Sequence, residues 1–227
     1  MTPFLAVAEP SLALQVTGGG STAVKLFLLM TLLSFAAALL LSITSFTRII
    51  IVLSFVRQGL GTPQLPPNPV LLGLALALSA FVMAPTAKAV WTEALDPYME
   101  DRIAADEALA RASHPVRRFL LKHVRQDDLQ LFYGISGAPR PESEADVPLT
   151  VAVPAFMVSE LTTAFRMGLT VLVPMLLIDV LVGAILVSLG MMMVPPTLVS
   201  LPLKVGVFLL AGGWHLIVES VLRSFSP

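Results

Sequence analysis

Eighteen of the chain's 29 charged residues fall within the 54 residues from Glu93 to Asp146, and that segregation limits what the rest can fold into. Elsewhere Lys25 and Arg48 bracket 22 uncharged residues, Arg57 and Lys88 bracket thirty, and Asp179 and Lys204 bracket twenty-four. About 20 apolar residues at ~1.5 Å each cross a hydrocarbon core of ~30 Å. The pattern therefore predicts an all-α integral membrane protein, two hydrophobic halves divided by a polar insertion. The chain is 56% hydrophobic and 13% charged, against about 25% charged in soluble domains. A net charge of −1 offers no clustered basic face for nucleic acid. The lack of cysteine excludes disulfides and thiolate chemistry.

The expected organisation is a flexible N-terminal segment over residues 1–21, a first helical hairpin over 22–95, a polar helical insertion over 96–150 and a second hairpin over 151–227. Helices are expected at 22–58, 69–95, 155–189 and 197–223. The two turns share a grammar: "LGTPQLPP" (60–67) and "LGMMMVPP" (189–196) both read Leu-Gly, four residues, Pro-Pro. Glycine closes a helix in a left-handed conformation, and the prolines suit the start of the next one. Within the helices, Pro85, Pro154, Pro174 and Pro202 each remove a backbone donor, so kinked hairpins are expected. The first cation is Lys25, and without a basic n-region no secretory signal is expected. In the insertion, Val116, Phe119, Leu120, His123 and Val124 recur at helical intervals opposite Arg117, Arg118, Lys122 and Arg125. They form an amphipathic helix with a solvated basic face, or, on the sharper alternative, a partner-docking or lipid-headgroup surface.

Arg48, Asp179 and Lys204 interrupt apolar runs. A charge at the centre of a lipid-facing helix costs about 2.5–3.5 kcal/mol even on lenient scales. Such residues are expected to face protein or a water-filled path, although the long stems of Arg48 and Lys204 also permit snorkelling. Glu160 requires a partner on another helix or subunit, because Arg166 lies six residues away, well around the same helix. Catalytic motifs are scarce: there is no H-E-x-x-H, P-loop or G-x-G-x-x-G. His114 and His123 are nine apart, and the adjacent Asp127 and Asp128 point to different faces. "GISG", with Ser136 as nucleophile and His215 as base, is the one combination of protease type, but its polar turn-like setting argues against it. His215 is expected to be a packed, hydrogen-bonded helix residue. The residues leave open a small-solute transporter with Asp179 in its site. No enzymatic activity, cofactor or metal is expected.

Two long stretches carry a family resemblance. "TSFTRIIIVLSFVRQGLGTPQLPPNPVLLGLALALSAFVMAP" (44–85) and "SELTTAF", "LVPMLLIDVL", "LGMMMVPPTLVSLPLKV" and "GGW" within 159–214 resemble the FliP family, the flagellar members of the type III export-gate proteins. Thr162 stands where the family commonly has lysine, and Gly212 where it commonly has an acidic residue. The resemblance implies an oligomeric channel of five copies with FliQ and FliR, in the bacterial inner membrane at the flagellar basal body. Its further partners would be membrane lipid, other flagellar export apparatus proteins and the unfolded flagellar proteins it exports; nucleic acid would not be one. On that reading Arg48, Glu160, Asp179 and Lys204 make intersubunit or helix-bridging contacts. Met191, Met192 and Met193 would form a deformable gasket at a constriction, because thioether side chains adapt to irregular shapes. Gly190, Pro195 and Pro196 would hold that loop out of either helix.

Overall fold

The computed structural model describes residues 20–226 except 63, 138–140, 142, 144, 145 and 192. The flexible segment expected over 1–21 therefore lies almost wholly outside the described residues, as does Met192. The described chain is all-helical: α1 (Gly20–Ser42), α2 (Phe46–Leu60), α3 (Asn68–Val90), a π-helical turn (Trp91–Leu95), α4 (Asp96–Met99), α5 (Ala105–His123), α6 (Gln126–Ser136), α7 (Leu149–Ser188), α8 (Thr197–Leu210) and α9 (Gly213–Arg223). Asn68–Met99 and Leu149–Ser188 are long and apolar enough to cross a membrane. The α8–α9 pair makes a third such segment if it forms one span, bent by 61°.

The chain divides into two compact units between Leu39 and Leu40. In the first, α1 is apolar, with Thr31 donating to the Phe27 carbonyl and Ser34 to that of Met30. The second unit is built on α2. Its buried residues Ile49, Val52, Leu53, Val56 and Leu60 recur at three- and four-residue intervals, the signature of a helix with one face in a core. That face packs against α7, where Ala152, Ala155, Ser159, Ala164 and Gly168 are buried. Small side chains at such a seam let two backbones approach closely. Leu71, Ala75 and Ser79 of α3 are buried too, with Ser45 donating to the Ser79 hydroxyl at 3.1 Å. Phe119 and Leu120 of α5 and Val221 and Phe225 at the C-terminus complete the core.

The helix expected over 22–58 is broken at residues 43–45. Hydroxyls cause the break: Thr44 Oγ1 accepts from the Phe46 amide, and Thr47 Oγ1 donates to the Leu41 carbonyl. Short polar side chains that bond the backbone locally compete with the helical ladder. The helix expected over 197–223 is likewise two, because Gly212 adopts φ +65° between α8 and α9. By contrast, α7 begins at Leu149 rather than at 155 and runs through both Pro154 and Pro174 without interruption.

Gly168 sets the closeness of the α2–α7 seam. A Cβ there would lie 2.4–2.8 Å from the Phe55 side chain, which is held edge-on against Phe165 at 5.1 Å. Gly168→Ala should therefore destabilise the fold by about 1–3 kcal/mol, the usual range for overpacking. Thermal melting in detergent, followed by tryptophan fluorescence, checks this; Phe55→Leu in the same chain should recover part of the loss.

Candidate functional site

Arg48 opens α2 on the face that enters the core, and Glu160 occupies the matching depth on α7. Arg48 is 3% exposed and Glu160 fully buried. The pairing is forked: Arg48 Nε donates to Glu160 Oε2 at 2.8 Å, and Nη2 to Oε1. The remaining nitrogen, Nη1, donates to the Ser224 carbonyl at 3.1 Å and to its Oγ at 2.8 Å. The guanidinium lies 3.8 Å from the centre of the Phe225 ring, a cation–π geometry. One arginine thus ties α2 to α7 and to the segment after α9. The residue before Glu160, Ser159, donates to Asp128 Oδ2 at 2.6 Å and accepts from the Arg125 amide at 3.0 Å, which fixes the start of α6 on α7.

Further along α7, Asp179 meets α8. Lys204 Nζ donates to Asp179 Oδ2 at 2.5 Å, and Ser200 Oγ donates to Oδ1 at 2.7 Å. Ser200 and Lys204 are four residues apart, so they share a helix face, and both are buried. Lys204 Nζ also lies 3.7 Å from where a Cβ on Gly61 would sit, beside the end of α2. Both Asp179 oxygens are engaged within the chain. The four charged residues singled out from sequence therefore fall into two pairs, Arg48 with Glu160 and Asp179 with Lys204. Sequence reasoning missed Ser224, Phe225, Asp128, Ser159 and Ser200; only the Ser200–Lys204 spacing carried a signal that could have found one of them.

The loop over 189–196 is shaped at both ends. Gly190 has φ +76°; its amide donates to the Val187 carbonyl, and the Met191 amide to that of Leu186. These crossed bonds form a Schellman cap, which leaves α7 no continuation. At the far end the Pro195 and Pro196 carbonyls accept from the first turn of α8. Met193 is 96% exposed and Met191 44%.

Ser136 and His215 have separate local partners. Ser136 donates to the Tyr133 carbonyl, and His215 Nε2 lies 3.9 Å from Glu219 on its own helix. His215 is 85% exposed, which corrects the expectation of a packed histidine. On α9 the buried positions are Gly213, Ile217 and Val221, a four-residue spacing that turns His215 to the opposite face.

His123 is half-buried, set between the rings of Phe119 and Phe225 at 4.7 and 5.2 Å. Its Nδ1 is 2.8 Å from the Phe119 carbonyl and its Nε2 3.4 Å from that of Phe225. Burial holds the imidazole below its ordinary value of 6.5; the two carbonyls oppose that shift, and Arg48 and Lys122 add to it.

Two outcomes follow from these geometries. Arg48→Met leaves the Glu160 carboxylate buried without its cation and should cost about 3–5 kcal/mol, whereas Arg48→Met with Glu160→Met should recover much of it; detergent melting of the three proteins decides. For His123, a depressed folded-state pKa gives stability that is present above 6.5 and is lost as pH falls through the folded value. Melting at pH 7.5 and 5.5 should show a smaller acid-induced loss in His123→Gln than in the parent.

The family model for FliP matches residues 29–221. The chain is 51% identical over 205 residues to the flagellar biosynthetic protein FliP of Bacillus subtilis, covering 90% of this chain and 93% of that protein. It is 45% identical over 229 residues to the protein of the same name from Pectobacterium carotovorum, covering 99% and 89%. The FliP of Aquifex aeolicus is 42% identical over 219 residues, covering 95% and 92%. With matches that run through α2, α3, α7 and α8 and take in both of these ion pairs, this chain belongs to the FliP family.

Proposed function

We propose that this chain is a pore-forming subunit of the flagellar type III export gate, passing unfolded flagellar proteins across the bacterial inner membrane. The observation that carries the reading is family membership at 51% identity over 93% of a relative named as a flagellar biosynthetic protein. The subunit is non-enzymatic and forms a homo-oligomer, a pentamer, with FliQ and FliR in the basal body. Energy for export comes from other components of the apparatus.

Two physical features support the reading. Leu72, Leu76 and Phe81 of α3, Leu169, Leu176, Val180 and Ile185 of α7, and Leu198, Leu203 and Leu209 of α8 are exposed. Apolar surface on that scale marks contact with membrane or protein, and kinked hairpins packed side by side would bury it. Meanwhile Arg48, Glu160, Asp179 and Lys204 are paired within the chain, so these four charges are answered without help from the apolar flanks. Their helix-bridging bonds keep each subunit rigid while neighbours move.

The 189–196 loop is the constriction in this reading. Met191, Met192 and Met193 from each copy meet around the axis, closing on water and ions yet yielding to a passing chain. Gly190 ends one helix and Pro195–Pro196 start the next, so the loop is free of both. Expression in a flagellated bacterium lacking its own FliP should restore filament assembly and motility; failure of a stably inserted chain to do so would overturn the export reading. Replacing all three methionines by alanine should raise ion leakage through the assembled gate while export continues. Unchanged leakage would remove the gasket.

A further inference from the structure

We propose that the cleft between α3 and α5 is a binding site for the phosphate headgroup of an anionic phospholipid, with an acyl chain lying along α3. The cleft has a volume of ≈230 Å³ and is lined by Val82, Pro85, Thr86 and Ala89 of α3, by Phe119 and Phe225 at its floor, and by Arg118, Lys122 and His123 at its rim. The lining is divided by chemistry: one wall is apolar and the rim is basic. Among the described residues, no carboxylate lines it.

Arg118 and Lys122 are four residues apart on α5, so they stand one above the other on one face. Both are exposed. Among the described residues, neither forms an ion pair within the chain. This sets them apart from Arg48, Arg102, Arg111 and Lys204, each of which has a carboxylate partner. A phosphate diester matches two adjacent cations of this kind, with the guanidinium able to bind two oxygens at once. His123 is already committed to two backbone carbonyls; it contributes shape at the rim.

Depth along α3 argues for lipid. From Pro69 to Ala87 the helix runs 19 residues without a charge, about 28 Å at ~1.5 Å per residue, close to the thickness of a hydrocarbon core. The first charge beyond it is Lys88. The cleft opens at Val82–Ala89, where the apolar run ends and the polar insertion folds back against it. That is the level at which a headgroup would lie, and the apolar wall of Val82, Pro85 and Ala89 is where an acyl chain would start. Each Lys or Arg near an anionic membrane surface contributes about a fivefold gain, on the order of 1 kcal/mol. Two such residues give a preference for anionic over zwitterionic lipid of roughly tenfold or more.

The test uses the full chain purified in a neutral detergent, offered equal amounts of phosphatidylglycerol and phosphatidylcholine, with bound lipid counted by native mass spectrometry. Phosphatidylglycerol should be retained at least about tenfold over phosphatidylcholine, and Arg118→Gln with Lys122→Gln should bring the ratio close to one. The charge-preserving pair Arg118→Lys with Lys122→Arg should keep the preference, and unchanged melting of both double variants would show that the fold is intact. Equal retention of the two lipids, or a preference that survives the glutamine variant, would overturn the proposal. So would complete displacement by millimolar inorganic phosphate, since the cleft would then bind a free anion without need of the acyl chain. A protein that copurifies on this face and protects Arg118 and Lys122 from lipid would overturn it as well.

Discussion

The Arg48–Glu160 pair is the constraint on which the arrangement of the second unit depends. Neither charge can reach water, so each must find its counterpart inside, and only one register of α2 against α7 allows the forked contact. Removing two such groups from water costs several kcal/mol each, repaid only when geometry is good and the remaining donors are satisfied. Ser224 and Phe225 supply that satisfaction. The chain's end is therefore folded back against the start of α2, 176 residues earlier in sequence. The pair adds specificity where apolar packing by itself would tolerate sliding.

The same logic repeats at lower intensity further along α7. Asp179 is 32% exposed while Lys204 is buried, so the second pair is half open to its surroundings and ties α7 to α8 beside the loop that both helices frame. Between the two pairs, α7 crosses α2 on small residues, with Gly168 giving way to the Phe55 ring. Polar fixation at two points and close packing between them make α2, α7 and α8 one rigid element. The glycine-capped loop at 189–196 can then project from a stable frame instead of a flexible one, as a constriction in an export channel would require.

The insertion belongs to the fold more closely than its charge suggests. Phe119 and Leu120 reach the core shared by α2, α3 and α7, while His123 contacts the backbone carbonyl of Phe225. Its basic face is left outside, against the end of the apolar part of α3. One helix thus joins a buried aromatic cluster to a surface chemistry suited to the membrane boundary.

Composition and charge spacing were enough to give the class and the residues whose charges had to be answered for, because burying a charge in an apolar run is costly wherever the chain goes. The turns at 60–67 and 189–196 were legible for a similar reason: glycine and proline act through their own backbone geometry. Partners were not legible. Nothing in the sequence near Arg48 indicates Ser224 or Phe225, and nothing local indicates that Glu160 would be the carboxylate it meets. The break at 43–45 was also hidden, because a threonine hydroxyl competes with the helical ladder only when the surrounding packing lets it, and tertiary contact decides that. His215 faces outward for the same reason, while His123 packs on the apolar face of its helix as its spacing indicated: which face of a helix is buried depends on what packs against it, and only the assembled core sets that.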